Sequence, residues 1–271
     1  MAALGVCRAA GVPLTARGAG TSIAGNAVGP GVVLDFSRHL GRVLSIDPES
    51  RTAVVEPGAI LDTLQRTAAP HGLRFGPDPS THSRCTIGGM IGNNACGSRA
   101  LAYGRTADNV LELDVLAGNG ERLTLGRQAN GSPILSEVKR VISGGLAVVR
   151  TEFGRFTRQV SGYSLEHLLP ERGFDSARAF TGSEGTLGVL LGATVRLVAP
   201  PAHTVLLVLG YPDMFAAADA VPEVLGHHPV ALEGMDARLI QVVRDRRGDS
   251  AVPTLPRGGG WLLAEFGGDS P

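Results

Sequence analysis

The sequence has very little lysine and no excess of charge of either sign. Lys139 is the only lysine among 25 basic residues, which equal the 25 acidic residues, so the formal net charge is zero. No basic stripe with interleaved aromatic residues occurs, which excludes the electrostatic pattern of a nucleic-acid-binding domain. The longest apolar runs, such as 205–209, are far too short to span a bilayer. The composition therefore predicts no nucleic-acid partner.

Cysteine is also scarce, with only Cys7, Cys85 and Cys96. No CxxC pair exists, which argues against a zinc ribbon or an iron–sulfur site within this chain, so no metal site is predicted. An odd and sparse cysteine count is typical of a reducing compartment. The stretch 1–10 lacks the basic start and apolar core of a signal peptide. We therefore expect a cytoplasmic protein, either free or peripheral to the inner face of the membrane.

Glycine, by contrast, is abundant: it supplies 38 of 271 residues, where average usage is about 7%. The glycines are not periodic and the hydrophobic fraction is 43%, which excludes collagen and is enough for a core. Two dense segments lie far apart, 17–22 (RGAGTS) and 86–97 (TIGGMIGNNACG). Glycines this dense let backbone N–H groups approach a ligand closely. Together the segments predict one site for a long phosphate-bearing ligand such as a dinucleotide.

Neither segment fits the common nucleotide-binding motifs. The Rossmann pattern fails because Gly18 and Gly20 are followed only by Gly25, and because the next element is a strand rather than a helix. The spacing of Gly20 and Gly25 suits a nucleoside-triphosphate loop, but Asn26 replaces the required lysine. An ordinary turn remains the alternative for the first segment.

The second and third segments also leave alternatives open. Asn93 and Asn94 lie in an apolar run and need hydrogen-bond partners, which either a ligand edge or tight helix packing would explain. A third segment, 180–189 (FTGSEGTLGV), again mixes glycine with hydroxyl groups and contains one acid, Glu184. Its alternative interpretation is a capped turn before a strand, with Glu184 in solvent.

The periodicity of apolar residues predicts a mixed helix and strand architecture. Helices are predicted at 4–10, 60–69, 87–95, 134–153, 213–225 and 236–244. Strands are predicted at 13–15, 31–36 (as a buried strand), 43–46, 52–56, 110–116, 122–125, 194–197, 203–209, 230–233 and 261–266. In helix 60–69, Ile60, Leu61 and Leu64 are expected on one face. Pro200 and Pro201 predict a domain boundary, because the alternation restarts after them.

Five motifs, in this order, carry a resemblance to a known family: RGAGTS, GPDPSTHSRCTIGGMIGNNACG, YGRTADNV, GYSLEHLLPE and FTGSEGTLG. They resemble the FAD-binding domain of the vanillyl-alcohol-oxidase (PCMH) type. The closest likeness is to FAD-linked D-2-hydroxyacid dehydrogenases such as D-lactate dehydrogenase, the glycolate oxidase flavin subunit and D-2-hydroxyglutarate dehydrogenase. The resemblance implies an α+β fold, with an FAD-binding domain of two subdomains over 1–200 and the beginning of an α/β cap domain over 201–271.

The resemblance also implies which residues bind FAD. The pyrophosphate would lie on the first loop: Arg17, Gly18, Ala19, Gly20, Thr21 and Ser22. The ribityl chain and ring system would contact Pro77, Asp78, Gly88, Gly89, Asn93 and Asn94, with Gly97, Tyr103 and Gly104 continuing that wall. The adenosine would lie near Asn109 and Val110, and the site would be closed by Glu184, Gly185, Gly188 and Val189. Because Thr21 stands where some relatives have a covalently attached histidine, the FAD is expected to be non-covalent.

The implied activity is oxidation of a D-2-hydroxy acid, with D-lactate favoured, to the 2-oxo acid. Electrons would pass to a quinone, a cytochrome or an iron–sulfur module outside this chain. No catalytic residue is assigned, because the resemblance places the base in a later part of the cap, beyond Pro271. The resemblance further implies a strand before Met1, so a truncated FAD-binding fragment without autonomous catalysis is one alternative. An aldonolactone or sugar oxidase of the same fold is another.

The histidines receive mostly structural interpretations. His39, His71 and His167 are expected at the surface or at helix caps. His82 lies in the loop beside the expected flavin and is the one histidine favoured for contact with cofactor or substrate. The adjacent pair 227–228 is not expected to bind a metal, because neighbouring residues on a helix point apart.

Overall fold

The computed structural model describes residues 2–127, 131–156 and 159–270. The α-helices of this part are α1 (Ala2–Ala10), α2 (Leu61–Ala68), α3 (Ile87–Asn93), α4 (Ala100–Tyr103), α5 (Thr106–Asn109), α6 (Pro133–Gly144), α7 (Leu146–Glu152), α8 (Ser176–Phe180), α9 (Met214–Leu225) and α10 (Ala237–Arg247). Short 3₁₀ helices occupy Ala69–His71, Leu165–Leu168, Pro170–Arg172 and Asp249–Ala251. Helices and sheets together confirm the predicted α+β class.

The described residues also form eleven β-strands. They are β1 (Leu14–Arg17), β2 (Val32–Asp35), β3 (Val43–Asp47), β4 (Thr52–Val55), β5 (Arg74–Phe75), β6 (Val110–Ala117), β7 (Arg122–Leu125), β8 (Gly188–Val198), β9 (His203–Tyr211), β10 (Ala231–Asp236) and β11 (Gly260–Gly268). Every predicted helix and strand overlaps an observed element of the same type. The α-helices and strands that the sequence did not predict are β5, α4, α5 and α8, and three of the 3₁₀ helices, those after residue 160, were not predicted either.

Internal contacts divide the chain into two units. The first comprises Met1–Gly97 and Gly104–Ala199, and the second comprises Ser98–Tyr103 and Pro200–Pro271. Within the described residues, no helix of either unit is both long and apolar enough to cross a membrane.

The first unit is built on an antiparallel sheet in the order β3-β4-β8-β6-β7, with β5 pairing the end of β8. Strand β8 is the longest in the chain and begins at Gly188, six residues before the predicted strand 194–197. Helix α2 packs Leu61, Leu64 and Ala68 into the core, as its i, i+3, i+7 spacing requires. The expectation for Ile60 was wrong: this residue precedes the helix in an extended conformation and is 36% exposed.

Strands β1 and β2 form a separate two-stranded parallel sheet. The sequence predicted a buried strand at 31–36, but Val32 is 38% exposed and Val33 is 42% exposed. In the described residues this sheet has only two strands, and Leu34 is the one apolar residue of β2 that is half-buried. The prediction of a strand was right, and the prediction of its burial was wrong.

The predicted helix 134–153 is two helices, α6 and α7, which meet at Gly145. Gly145 has φ −119° and ψ 17°, which lies outside the helical region, and its N–H bonds to the carbonyl of Ile142. Glycine tolerates such a conformation at little steric cost. The apolar spacing on each side therefore predicts helix correctly but does not reveal the break.

The second unit contains the antiparallel sheet β10-β11-β9 with α9 packed on it. Ala217 and Val224 of α9 share a small core with Leu262 and Ala264 of β11. The two longer helices of this unit each begin with an aspartate whose carboxylate accepts a main-chain N–H at 2.8 Å: Asp213 for α9 and Asp236 for α10. These caps explain why both helices start where the sequence predicted them.

Glu56 anchors the turn that leads from β4 to the candidate site, and its charge gives a testable pH dependence. The buried carboxylate accepts from Arg42 N at 2.8 Å and from Arg42 Nη2 at 2.7 Å. The hydrogen bonds from Arg42 hold the pKa of Glu56 below its ordinary value, in spite of its burial. A carboxyl with a lowered folded-state pKa stabilises the protein at neutral pH, and this contribution disappears as the pH falls through that pKa.

We therefore expect Glu56→Gln to lower the free energy of unfolding at pH 7 by about 1–2 kcal/mol. Below about pH 4, where the carboxyl of the original protein also becomes protonated, the difference between the two proteins should shrink. Urea unfolding at pH 7, 5 and 3 measures this. A difference that stays constant across the three pH values would contradict the assigned role of the Arg42 pair.

Candidate functional site

The first glycine loop begins where β1 ends. Phe36 N–H donates to the carbonyl of Arg17 at 2.9 Å, and the chain then turns away from β2. Gly20 has φ +65°, a left-handed conformation that suits glycine. Among the described residues, no main-chain carbonyl accepts a hydrogen bond from the N–H groups of 19–22. These N–H groups can therefore bind an oxyanion.

The first and second glycine segments lie against each other. A Cβ atom at Gly18 would overlap Thr86 Oγ1. Thr86 caps helix α3, because the same Oγ1 accepts from Gly89 N at 3.2 Å. Gly88 N–H donates to Pro57 O at 2.7 Å, and a Cβ on Gly88 would lie 2.7 Å from that oxygen. The structure thus brings together the two segments that the sequence predicted to share one site.

The third segment packs on the end of α3. Gly182 N–H donates to Ile91 O at 2.8 Å, and Glu184 N–H donates to Gly92 O at 2.9 Å. Glu184 has φ +52°, and its carboxylate accepts from Asn93 Nδ2 at 2.8 Å. Glu184 is exposed and a turn precedes β8, as the alternative of a turn before a strand expects, but its carboxylate is also bonded to Asn93. Two segments 91 residues apart in sequence are joined by this hydrogen bond.

Asn94 ends helix α3 in a left-handed conformation, with φ +51°. Its side chain is buried, and Oδ1 accepts from Ala107 N at 3.0 Å. Asn93 has Glu184 as its partner. Both asparagines are thus satisfied within the protein, so their polarity in an apolar run does not by itself require a ligand.

The three segments line a single cleft of about 350 Å³. This volume lies within the range of about 300–1,000 Å³ that is usual for small-molecule sites. The predicted site residues on its wall are Arg17, Gly18, Ala19, Gly20, Thr21, Ser22, Gly88, Gly89, Asn93, Asn94, Glu184, Gly185 and Gly188. Arg17 and Glu184 are the only charged side chains among the described residues that line it.

Other predicted site residues do not line this cleft: Pro77, Asp78, Gly97, Gly104, Asn109, Val110 and Val189. Gly97 packs so closely on Asp78 that a Cβ would overlap its carbonyl oxygen. Asn109 is fully buried, and Nδ2 donates to Arg105 O at 2.9 Å. Tyr103 belongs to the second unit. The cofactor contacts expected for these residues stay predictions.

The cleft wall also contains residues that the sequence did not single out, among them Asn26, Phe36, Thr81, Cys85, Thr86 and Phe180. Cys85 is buried, and this burial raises the pKa of its thiol, so it is uncharged at neutral pH. Thr81, Cys85 and Thr86 belong to the motif GPDPSTHSRCTIGG. The sequence analysis assigned cofactor contacts to other residues of this motif and not to these three.

His82, the histidine favoured by the sequence, does not line the cleft. Its Nδ1 lies 2.8 Å from Asp62 Oδ1, and its side chain is 56% exposed. No group of three or more His, Cys, Asp or Glu side chains that could hold a metal ion occurs in the described part of the chain. The described cleft therefore offers no histidine as a base.

The residues of the cleft fit FAD. Uncommitted N–H groups and Arg17 suit a pyrophosphate, and the glycines give these donors close access to a ligand. Ile91, Phe180 and Leu190 supply apolar wall suited to an aromatic ring system. The donor set thus matches a ligand that combines a diphosphate with a large flat ring.

The pair Asn93–Glu184 gives a test of how the third segment is held. We expect Asn93→Asp to place a second carboxylate against Glu184 and to lower the free energy of unfolding at pH 7 by about 0.5–1 kcal/mol. The loss should shrink in about 1 M sodium chloride, because salt screens the repulsion between exposed charges. Thermal unfolding at pH 7 with and without this salt measures the effect, with Asn93→Asp/Glu184→Gln as the control that should restore stability. A loss that salt does not change would contradict the pairing.

Two family models match the chain. A model described as an FAD binding domain matches residues 1–126, and a model for the C-terminal domain of FAD linked oxidases matches residues 200–271.

The chain is also similar to curated proteins. D-2-hydroxyglutarate dehydrogenase of Pseudomonas putida is 32% identical over 96% of this chain and 28% of its own length. The glycolate oxidase subunit GlcD of Escherichia coli K12 is 34% identical over 90% of this chain and 42% of its own length. D-lactate dehydrogenase of Anaerostipes hadrus is 29% identical over 98% of this chain and 49% of its own length. The chain thus spans between about a quarter and a half of the length of these relatives.

Among solved structures, alkyldihydroxyacetonephosphate synthase superposes with a TM-score of 0.66 at 18% identity, covering 98% of this chain and 45% of that one. A second crystal form of that enzyme gives a TM-score of 0.67. At this identity the likeness shows a shared fold. The assignment to a family therefore rests on the similarity in sequence, and the similarity in structure shows a fold that agrees with it.

Proposed function

Because this chain carries the FAD-binding domain and the C-terminal domain of the FAD-linked oxidases, we propose that it oxidises a small D-2-hydroxy acid to the 2-oxo acid. D-lactate is the substrate we favour, with glycolate and D-2-hydroxyglutarate as the competing candidates. The names of the relatives support this class of substrate, since lactate, glycolate and 2-hydroxyglutarate are all 2-hydroxy acids. The observation that carries the proposal is the cleft in which three glycine-rich segments meet.

In this proposal the first loop binds the cofactor. When bound, FAD supplies the acceptor for the hydride that leaves the α-carbon of the hydroxy acid. The N–H groups of 19–22 donate to the pyrophosphate, and Arg17 adds a positive charge beside them. Thr21 offers a hydroxyl but no imidazole, so the attachment is non-covalent. Asn93 and Glu184 fix the third segment against α3 and keep the cleft closed on that side.

The proposal assigns no base within this chain. Glu184 already accepts from Asn93, His82 lies outside the cleft wall, and the Cys85 thiol is buried and uncharged. We therefore place the group that removes the hydroxyl proton outside the described cleft. The electron acceptor, a quinone, a cytochrome or an iron–sulfur module, is likewise placed outside this chain. The cytoplasmic location also stays a proposal, and the three free cysteines are consistent with it.

The test is reduction of bound flavin. The full chain is saturated with FAD, desalted and examined anaerobically by visible spectroscopy before and after D-lactate, glycolate or D-2-hydroxyglutarate is added. Retained flavin that is bleached fastest by D-lactate supports the proposal. Bleaching by another of these acids alone overturns the choice of D-lactate but supports the substrate class. Folded protein that retains no flavin overturns the assignment of the cleft.

A second candidate function is flavin binding without turnover. It is favoured by one observation: among the described residues, no histidine lines the cleft, and its one carboxylate, Glu184, accepts from Asn93. Retained flavin that stays oxidised with all three acids, and is reduced by dithionite, would favour this function. An aldonolactone or sugar oxidase would instead be revealed by bleaching with an aldonolactone and not with the hydroxy acids.

A further inference from the structure

The first unit contains a second cavity of about 240 Å³. Its described lining residues are Arg127, His167, Arg172, Asp175 and Arg178, none of which lines the glycine-rich cleft. The walls come from the end of β7, from the two 3₁₀ helices of 165–172 and from α8. Three arginines and a histidine thus line one small cavity, to which the proposed function assigns no role.

The histidine of this cavity is buried and incompletely bonded. His167 is 6% exposed, and Nε2 has no hydrogen-bond partner among the described residues. The nearest carboxylate oxygen, Glu166 Oε1, lies 3.8 Å away, which is too far for a hydrogen bond. A surface position for His167, which the sequence suggested, is therefore wrong. A buried imidazole nitrogen without a partner is costly, unless a ligand binds it.

The His167 side chain is uncharged at neutral pH and can act as a hydrogen-bond donor. Burial lowers the pKa of the imidazole, the nearby Glu166 opposes this, and the charges of Arg178 and Arg172 lower it further. The net direction is downward, so the ring is neutral at pH 7 and carries one N–H. That N–H can be donated to an anion without a proton being taken up.

The charges around the cavity are positive on balance. Arg127 Nε lies 3.3 Å from Asp175 Oδ2, and Arg178 Nε lies 3.8 Å from the same oxygen, so these two arginines share one carboxylate. Arg172 forms no ion pair within 4 Å among the described residues. Its charge acts on the neighbouring Glu171, but that carboxylate pairs with Arg150. The carboxylates of Asp175 and Glu166 thus leave one of the three guanidinium charges unbalanced.

One further acid faces Arg178. Asp108 Oδ1 lies 3.9 Å from Arg178 Nη2, but Asp108 also accepts from Arg105 N at 2.9 Å and from Arg105 Nε at 3.2 Å. Its charge is therefore matched by Arg105. Beside the cavity, the guanidinium of Arg172 lies in no ion pair, and His167 Nε2 and the neighbouring Glu166 Oε2 have no hydrogen-bond partner among the described residues.

We propose that this second cavity binds the phosphate group of a small anionic ligand. Guanidinium groups donate in a planar fork that matches phosphate oxygens, and a tetrahedral anion can accept from several donors at once. Arg172 supplies the free charge, Arg127 and Arg178 supply further donors, and His167 supplies a neutral N–H. The phosphate completes the bonding of His167, for which the protein offers no partner in the described residues.

The test measures binding of inorganic phosphate to the full chain saturated with FAD, so that the glycine-rich cleft is filled. Sodium chloride at matched ionic strength is the reference. We expect phosphate at about ten times its dissociation constant to raise the melting temperature by about 2–4 °C relative to chloride. We also expect the ring resonances of His167 to shift during the titration. Equal melting temperatures in phosphate and chloride, with unshifted His167 signals, would overturn the proposal.

Two variants locate the binding. Arg172→Gln is expected to weaken phosphate binding about tenfold or more, because one charged hydrogen-bond donor is lost. Arg155→Gln removes an exposed arginine that pairs with Glu152 and does not line the cavity, and it should bind phosphate like the original chain. Arg172 is exposed, so its variant should match the original melting temperature in chloride. Equal weakening in both variants, or in neither, would show that phosphate binds elsewhere.

Discussion

Replacing Gly18 with alanine is expected to weaken FAD binding about tenfold or more and to lower the free energy of unfolding by about 1–3 kcal/mol. The new methyl group would overlap Thr86 Oγ1, so the first loop or the start of α3 must move. Either movement displaces the N–H groups of 19–22, whose positions determine how well they donate to a pyrophosphate. FAD titration followed by flavin fluorescence and urea unfolding measure the two effects.

The control for this prediction is Gly5→Ala. Gly5 is exposed in helix α1, and a Cβ there would meet no atom within 4 Å. Alanine should stabilise that helix by up to about 1 kcal/mol and leave FAD binding unchanged. A second control removes the obstruction: Thr86→Ala in the Gly18→Ala background should recover part of the lost affinity. If Gly18→Ala behaves like Gly5→Ala, the packing of the two glycine segments is not what shapes the site.

Alanine at Gly97 and at Gly92 should have opposite effects on stability, although both glycines belong to the same motif. A Cβ on Gly97 would overlap the main-chain carbonyl of Asp78, which cannot rotate away as a side chain could. We expect a loss of about 3 kcal/mol in the free energy of unfolding, at the upper end of the usual range for overpacking. The loop 77–78 would be displaced as well, so FAD binding should also weaken.

Gly92 lies within α3, and a Cβ there would meet no protein atom within 4 Å. Without FAD, Gly92→Ala should therefore raise stability by about 0.5–1 kcal/mol. Because Gly92 lines the cleft, the added methyl group should nonetheless weaken FAD binding. Unfolding with and without FAD separates the two contributions. A Gly97→Ala variant as stable as the original chain would contradict the close packing on Asp78, and unchanged FAD affinity in Gly92→Ala would place the ligand away from α3.

Much of the local structure follows from the sequence alone. The spacing of Leu61, Leu64 and Ala68 determines a helix with one buried face, and the alternation in 110–116 and 122–125 determines a hairpin across its Gly-Asn-Gly turn. These signals are local, because side-chain direction repeats every 3.6 residues in a helix and every two in a strand. The left-handed turn at Gly20 is equally local, since glycine alone adopts it without strain.

The sequence did not predict which residues are buried or which distant residues contact each other. Val32 and Val33 belong to an apolar run that is typical of a buried strand, yet both are exposed. Burial depends on which other elements cover a strand. A histidine such as His167 is expected at the surface or at a helix cap. His167 is instead buried beside three arginines that are not its neighbours in sequence. Neither outcome is encoded in a window of a few residues, because it depends on contacts between segments far apart.

The candidate site shows the same division. The glycine segments and their small polar side chains are visible in the sequence, and they sufficed to predict a phosphate-bearing ligand. FAD was implied by the resemblance of the five motifs to a known family. Only the tertiary structure decided that Gly18 lies on Thr86, that Asn93 pairs with Glu184, and that Asn109 is buried and donates to the carbonyl of Arg105. The physical reason is that a glycine-rich sequence fixes where a backbone can bend and approach a neighbour. Which N–H groups then remain unbonded, and which cavity they face, depends on how distant strands and helices pack.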